Sequence, residues 1–144
     1  MQALIGMGSN IEPERYLAAA AREIRAAFPA ARFSSVYRSP AVGMEGDDFL
    51  NACCLIDTAQ SQAELDAWLK GLEDRHGRDR TAGSWRPRTL DLDLILYGDR
   101  CLDADLYRYA HMHVPAAELV DLTVFAGSVA MLRRVALDLS KAGT

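Results

Sequence analysis

The chain has 144 residues, of which half are hydrophobic and a quarter are charged, and its formal net charge is -4 at pH 7. These values predict one globular domain over residues 1–144. The acidic balance argues against a nucleic-acid partner, and no apolar stretch reaches membrane-spanning length. The three cysteines lack the spacing of a disulfide framework or a zinc site, and no secretory signal precedes the first apolar run. We therefore expect a cytoplasmic protein without a membrane partner.

The first part of the sequence predicts a strand, a helix and two further strands. "QALIGM" is a short apolar run that ends at a Gly-Ser-Asn turn. Residues 13–28 place apolar side chains at helical spacing, with Pro13 in the first turn. "RFSSVYRS" and "FLNACCLID" are typical of strands, and the loop "PAVGMEGDD" separates them. Their closeness in the sequence predicts an antiparallel pair.

The second part predicts a helix, a long loop and a strand. Ser61 and Glu64 form a capping box at the start of a helix that runs to about Arg75. "HGRDRTAGSWRPR" is a loop of a length that is usually functional or disordered. "TLDLDLILYG" alternates as a strand does, with Leu90, Leu92, Leu94 and Leu96 directed into the core. The tail predicts a helix from a stripe formed by Phe125, Val129, Leu132, Val135 and Leu139. The element order predicts an α+β fold with helices on an antiparallel sheet.

Two aspartates share one face of the last predicted strand. Asp91 and Asp93 are two residues apart, so their side chains point the same way. Their mutual repulsion is relieved by a proton, by arginine or by divalent cations. Mg²⁺ usually takes one or two carboxylates plus phosphate oxygens, and arginines of the preceding loop could hold the phosphate. The alternative is an exposed sheet face on which the carboxylates pair with Arg86 and Arg88, and the residues alone leave both open.

Four motifs resemble one enzyme family. "GSN", "SSVYRSPAVG", "DFLNAC" and "HGRDRTAGSWRPRTLDLDLILYG" occur in the order found in 6-hydroxymethyl-7,8-dihydropterin pyrophosphokinases, and the resemblance covers about residues 3–111. It implies a ferredoxin-like α/β/α sandwich. It also implies transfer of pyrophosphate from MgATP to the hydroxymethyl group of 6-hydroxymethyl-7,8-dihydropterin, with release of AMP, in folate biosynthesis. The implied partners are these two small molecules, and the implied cofactor is a pair of Mg²⁺ ions.

The resemblance also assigns roles to individual residues. The residues matched to catalysis are Arg78, Arg88, Asp91 and Asp93, and the two aspartates are the matched metal ligands. The residues matched to ATP binding are Glu73, Arg78, Arg80, Arg88 and His111. The residues matched to the pterin pocket are Ser39, Pro40, Val42, Phe49, Asn51 and Trp85, and Trp85 lies with Arg80 in a loop that seals the site. An asparagine suits this pocket because it offers one donor and one acceptor to the ring edge.

The C-terminal third departs from the family pattern. Ala110 stands where a proline is expected, Ala117 at an arginine that contacts ATP, and Leu119 at a phenylalanine that stacks on the pterin. Arg108 is a candidate source of the missing charge, and His113 has no assigned role. Two other functions therefore stay open. One is a related pyrophosphokinase acting on a modified pterin, as in a methanopterin-like pathway, and the other is a non-catalytic pterin- or nucleotide-binding descendant. An RNA-binding module of the same fold is disfavoured by the acidic charge.

Overall fold

The computed structural model describes residues 1–40, 48–77, 90–123, 125 and 127–141. The elements, in chain order, are strand β1 (Gln2–Ser9), helix α1 (Pro13–Ala27), β2 (Arg32–Phe33), β3 (Val36–Ser39), β4 (Phe49–Asp57), helix α2 (Gln62–Arg75), β5 (Asp91–Tyr97), β6 (Arg100–Cys101), a 3-10 helix (Ala104–Tyr107), helix α3 (Ala110–Ala117) and β7 (Arg133–Val135). No helix in this part of the chain is both long and apolar enough to cross a membrane.

The seven strands of the described residues form one sheet. Its order is β6-β5-β1-β4-β3-β7, and β2 pairs with β4 beside β3. All of these pairings are antiparallel. The four central strands and the two helices α1 and α2 follow each other as β-α-β-β-α-β, which is the ferredoxin-like arrangement. The predicted α+β fold, with helices packed on an antiparallel sheet, is therefore confirmed.

Alternation along the strands gives the sheet an apolar cluster on each face. One cluster lies under α1 and α2 and contains Ile5 and Met7 of β1 with Leu65 and Leu69 of α2. The other lies under α3 and includes Leu4, which is the neighbour of Ile5 on β1 and faces the opposite way. The helices thus cover both faces, while the α3 side is left partly open where the strands carry small or polar residues.

A bulge in β5 changes the predicted direction of one leucine. Leu4 pairs with Leu96 and Ile5 pairs with Leu94, so Ile95 is an extra residue in the strand. Leu94 packs under α1 and α2, but Leu96 packs with Ile95 in the cluster under α3. The prediction of a single leucine face is therefore wrong at Leu96, because the extra residue reverses the alternation.

Two other predictions about elements are corrected. "RFSSVYRS" is divided into β2 and β3, because the Ser34 hydroxyl accepts a hydrogen bond from the Cys53 backbone N–H (2.8 Å) between them. The tail is not the predicted helix: in residues 118–123, 125 and 127–141 the structure has turns and the short strand β7. Val135 instead pairs with Val36 at the edge of the sheet. The helical spacing of the stripe is fortuitous, since only Val135 lies in a strand and the other stripe residues lie in turns and irregular segments.

Candidate active site

A cavity of about 330 Å³ lies on the sheet face that carries α3. Residues from β1, β3, β4 and β5 and from the segment between β6 and α3 line it. The residues of the predicted site that line it are Ser39, Pro40, Phe49, Asn51, Asp91, Asp93 and His111. The structure therefore brings together seven residues from four separate segments of the sequence.

Two glycines of β1 form the floor of this cavity. Gly8 pairs with Asn51 on one side and with Asp91 on the other. Gly6 likewise pairs with Cys53 and with Asp93. Directly paired residues share a face of the sheet, so the aspartates of β5 and their counterparts on β4 face the same side. They are separated by the width of β1, which places their backbones about 10 Å apart. The glycines leave a shallow trough between the carboxylates and the β4 residues.

The space over Gly8 is shaped by its lack of a side chain. A Cβ on Gly8 would lie 3.5 Å from Asn51 Oδ1 and 3.7 Å from a ring carbon of Phe49. A methyl group would therefore occupy the corner between the amide and the ring. This corner suits a flat ligand that lies against the sheet.

Asn51 is held in a defined orientation. Its Nδ2 donates to the Ser39 hydroxyl (2.7 Å), and both residues are buried. Oδ1 lies towards Gly8 and the cavity. The side chain can thus offer an acceptor, together with its second amide hydrogen, to the edge of a ring.

Four carboxylates line the same cavity. Asp91 is half-buried and Asp93 is exposed at the start of β5. The sequence reasoning missed the other two, Asp103 and Asp105. Asp103 caps the 3-10 helix by accepting from the Asp105 N–H (3.0 Å). The signal was a second Asp-x-Asp motif just after β6, the strand that reverses the chain direction beside β5.

The donor set suits a hard cation that retains other ligands. Among the described residues, no three His, Cys, Asp or Glu side chains are grouped so as to hold a metal by themselves. Asp91 and Asp93 supply a pair of carboxylates on one strand. Mg²⁺ typically takes one or two protein carboxylates and completes its shell with water and phosphate oxygens. The residues therefore fit Mg²⁺ bound together with a phosphate ligand.

His111 lies at the N-terminal end of α3 and lines the cavity. Its ring stacks on Tyr109, with centroids 5.3 Å apart and planes 21° from parallel. Burial lowers the pKa of His111 below its ordinary value, and the negative charge of Asp105 partly opposes this shift. The side chain is thus fixed in place and is poised to gain a proton when further negative charge enters the cavity.

Glu73 does not line the cavity. It is 3 % exposed, and its carboxylate accepts from the backbone N–H of Leu92 (2.6 Å). Leu92 lies between Asp91 and Asp93, so this bond ties α2 to the strand segment that carries both aspartates. The structure thus places Glu73 behind the strand that carries the aspartates, and its role in ATP binding stays a prediction.

Five residues of the predicted site lie outside the described residues. They are Val42, Arg78, Arg80, Trp85 and Arg88. Arg86, the other alternative partner of the aspartates, also falls there. Their predicted roles stay predictions.

The departures in the C-terminal third have structural counterparts. Ala110 begins α3 and Ala117 ends it. Leu119 packs against the cluster under α3 and is not a lining residue of the cavity. The Arg108 guanidinium lies 4.0 Å from the Asp105 carboxylate at the cavity rim, and its own side chain is 72 % exposed. The suggestion that Arg108 supplies the charge missing at Ala117 stays a prediction, since Arg108 is not a lining residue of the cavity.

His113 has a structural environment. It is buried, and its Nδ1 lies 3.1 Å from the Leu106 carbonyl oxygen, to which it can donate. Its ring contacts those of Tyr107 and Phe125. His113 thus joins α3 to the 3-10 helix and faces away from the cavity.

Comparison of the sequence with known proteins identifies a family and several relatives. The family described as 7,8-dihydro-6-hydroxymethylpterin-pyrophosphokinase matches residues 4–126. A 2-amino-4-hydroxy-6-hydroxymethyldihydropteridine pyrophosphokinase from Synechocystis is 41% identical over 70% of this chain and 53% of its own length. Proteins of the same name from Pseudomonas putida and Methylorubrum extorquens are 30% and 34% identical. Their matches cover 81% and 95% of this chain and 98% and 94% of the relatives. The chain thus spans about half of the first relative and nearly all of the other two.

Proposed function

The chain belongs to the 7,8-dihydro-6-hydroxymethylpterin-pyrophosphokinase family, and from this we propose that it transfers pyrophosphate from MgATP to 6-hydroxymethyl-7,8-dihydropterin in folate biosynthesis. The observation that carries the proposal is the shared cavity: a carboxylate pair on β5 faces an amide and an aromatic ring on β4 across two glycines. One side suits a metal-bound phosphate and the other suits a flat heterocycle.

The pterin would lie over Gly8. Asn51, oriented by Ser39, would pair with the amide edge of the ring, and Phe49 would contact its apolar surface. The loop that begins at Pro40 and includes Val42 would grip the ring through backbone groups. A site that pairs these polar groups discriminates against rings that lack them, because its own buried groups would then be left unpaired.

ATP would bind with its phosphates over Asp91 and Asp93. Bound Mg²⁺, two ions by family resemblance, would neutralise phosphate charge and orient the oxygens. Asp91 and Asp93 would be its ligands. The described cavity is rich in carboxylates, so positive charge must accompany the polyphosphate. We assign this charge to the metal, to Arg78, Arg80 and Arg88, and to His111 once it is protonated.

The reaction is a displacement at the β-phosphorus of ATP. The pterin hydroxyl oxygen forms a bond to this phosphorus, and the bond from the phosphorus to the oxygen that bridges the α- and β-phosphates breaks. The hydroxyl proton passes to solvent water. AMP leaves with the bridging oxygen. Arg78 and Arg88 would stabilise the charge that develops on the phosphate oxygens, and Arg80 and Trp85 would help to exclude water. We also propose a cytoplasmic location, because the cysteine pattern signals no disulfide framework.

The test is the identity of the products. The protein is incubated with MgATP and 6-hydroxymethyl-7,8-dihydropterin, and nucleotides and pterins are separated by chromatography. The proposal predicts AMP and pterin diphosphate in equal amounts, with no ADP. Folded protein that produces ADP, or that produces no AMP while still binding MgATP, would refute it. The modified-pterin and binding-only alternatives would then replace it; no contact in the described residues favours either.

A further inference from the structure

The carboxylate of Glu118 joins the end of α3 to β3. Glu118 is the residue at which α3 terminates. One of its oxygens accepts from the Ser35 backbone N–H (2.8 Å), and the other accepts from the Tyr37 hydroxyl (2.5 Å). Two hydrogen bonds to one ionised carboxylate make a directional link, since charge-assisted bonds are stronger than neutral ones.

Both ends of this link lead to the cavity. Towards its N-terminus, α3 carries His111 and Met112, which line the cavity. Towards its C-terminal end, β3 carries Ser39, which lines the opposite wall and orients Asn51. Glu118 therefore connects the wall that would meet the nucleotide with the wall that would meet the pterin.

Because α3 is short, the position of Glu118 affects the position of His111. Eight residues span about 12 Å, so a small rotation at Glu118 is carried directly to His111. Two other polar contacts are described for this helix. His113 lies within hydrogen-bond distance of the Leu106 carbonyl, and the Met112 carbonyl accepts only a long contact from Cys53 Sγ of β4 (3.9 Å). Apolar packing through Ala116 does not fix rotation as two directional hydrogen bonds do.

We propose that Glu118 is a positioning residue, which holds α3 on β3 and thereby places His111 over the phosphate end of the cavity. The proposal rests on the proposed function, because it takes that end of the cavity as the site of the ATP phosphates. Glu118 itself is not among the residues that line the cavity.

The chemistry of Tyr37 supports a persistent link. Burial and the neighbouring Glu118 carboxylate raise the pKa of Tyr37 to about 12, against an opposing effect of Arg134. The phenol is therefore protonated over the physiological range and donates to Glu118 throughout it.

The test measures affinity for the ATP analogue with a methylene group between its α- and β-phosphates, in the presence of Mg²⁺, by calorimetry. This measurement does not depend on turnover. We expect Glu118→Ala to weaken binding about tenfold, because displacing His111 weakens its charge-assisted contact with the phosphates. Glu118→Gln keeps an acceptor and should recover most of the affinity, and Tyr37→Phe should lose about threefold. Glu14→Gln, an exposed change in the first turn of α1, is the matched control.

A double-variant comparison tests the route of the effect. Because Tyr37 would act through Glu118, Tyr37→Phe should weaken binding no further in the Glu118→Ala background. In an active enzyme, Glu118→Ala should also raise KM for ATP while KM for the pterin stays within twofold. Analogue affinity within twofold of wild type in Glu118→Ala would overturn the proposal, as would additive effects of the two variants. Failure of the proposed function would appear instead as wild-type protein that forms no AMP.

Discussion

Replacing Glu73 with alanine tests whether this buried carboxylate supports the strand that carries the two aspartates. The bond from the Leu92 N–H to Glu73 joins a charged acceptor to a buried donor. Hydrogen bonds to charged groups contribute about 1.5–3 kcal/mol, and a buried donor left unsatisfied costs about 1–3 kcal/mol. We therefore expect Glu73→Ala to lower the free energy of unfolding by about 2–3 kcal/mol. In a chain of this length, that corresponds to a fall in Tm of about 6–9 °C.

The assay is urea unfolding followed by circular dichroism, with a thermal scan in parallel. Glu73→Gln keeps a carbonyl acceptor for Leu92 and should lose only about 1 kcal/mol. Glu14→Ala supplies the control for removing an exposed helical carboxylate. A Glu73→Ala protein within about 0.5 kcal/mol of wild type that nevertheless bound the ATP analogue much more weakly would refute the reasoning. It would favour a direct nucleotide contact for Glu73, which the family resemblance suggested.

Three further predictions concern the cavity floor, a helix cap and the pH response. Gly8→Ala should leave the free energy of unfolding unchanged or raise it by up to about 1 kcal/mol. It should raise KM for the pterin at least fivefold, because the methyl group fills the corner beside Asn51. An unchanged KM in steady-state assays would contradict this. Ser61→Ala removes the hydroxyl that accepts from the Glu64 backbone N–H and leaves the bond from the Ser61 backbone N–H to the Glu64 carboxylate. It should cost about 1 kcal/mol in urea unfolding, and no loss would show that the hydroxyl cap is dispensable. Burial lowers the pKa of His111 from its ordinary 6.5, so its neutral form favours folding above pH 6.5, and this advantage is lost as pH falls through the lowered value. His111→Gln should therefore lose less stability than wild type between pH 7 and pH 5, and equal losses would contradict the assignment.

The sequence predicted most of the fold because its local signals agreed with the tertiary structure. The capping box of Ser61 and Glu64 placed the start of α2, and alternation placed the strands that carry Asn51 and Asp91. The prediction for the tail failed because apolar spacing alone does not distinguish a helix from strand and turn residues, of which only Val135 and Leu139 join the core. Val135 is apolar because it pairs with Val36 at the sheet edge.

The candidate site was predicted in part, for a physical reason. The cavity is an assembly of cross-strand rows, and the row Asp91–Gly8–Asn51 depends on register that no single segment encodes. The resemblance supplied the polar members of these rows. It could not supply Asp105 and Tyr109, whose place beside His111 follows from the path of the chain after β6.

The two hydrogen bonds of the Glu118 carboxylate to β3 and the residue before it could not be predicted from the sequence either. Glu118 is exposed, as a glutamate after a short helix ordinarily is, and nothing in "AAELV" indicates its partners. Its contacts with Ser35 and Tyr37 span more than 80 positions of the chain. Such links become visible only when α3 is placed on the sheet.

Turnover of Asp93→Asn, measured as AMP formation from MgATP and 6-hydroxymethyl-7,8-dihydropterin, tests the central claim most directly. Asp99→Asn is the matched control, because Asp99 is an exposed aspartate in the turn that follows the same strand. The account predicts a loss of kcat of about a hundredfold or more in Asp93→Asn, with unchanged unfolding free energy and with near-normal turnover in Asp99→Asn. Turnover of Asp93→Asn within a few-fold of Asp99→Asn would contradict the claim that the β5 carboxylates hold the metal that binds the phosphates.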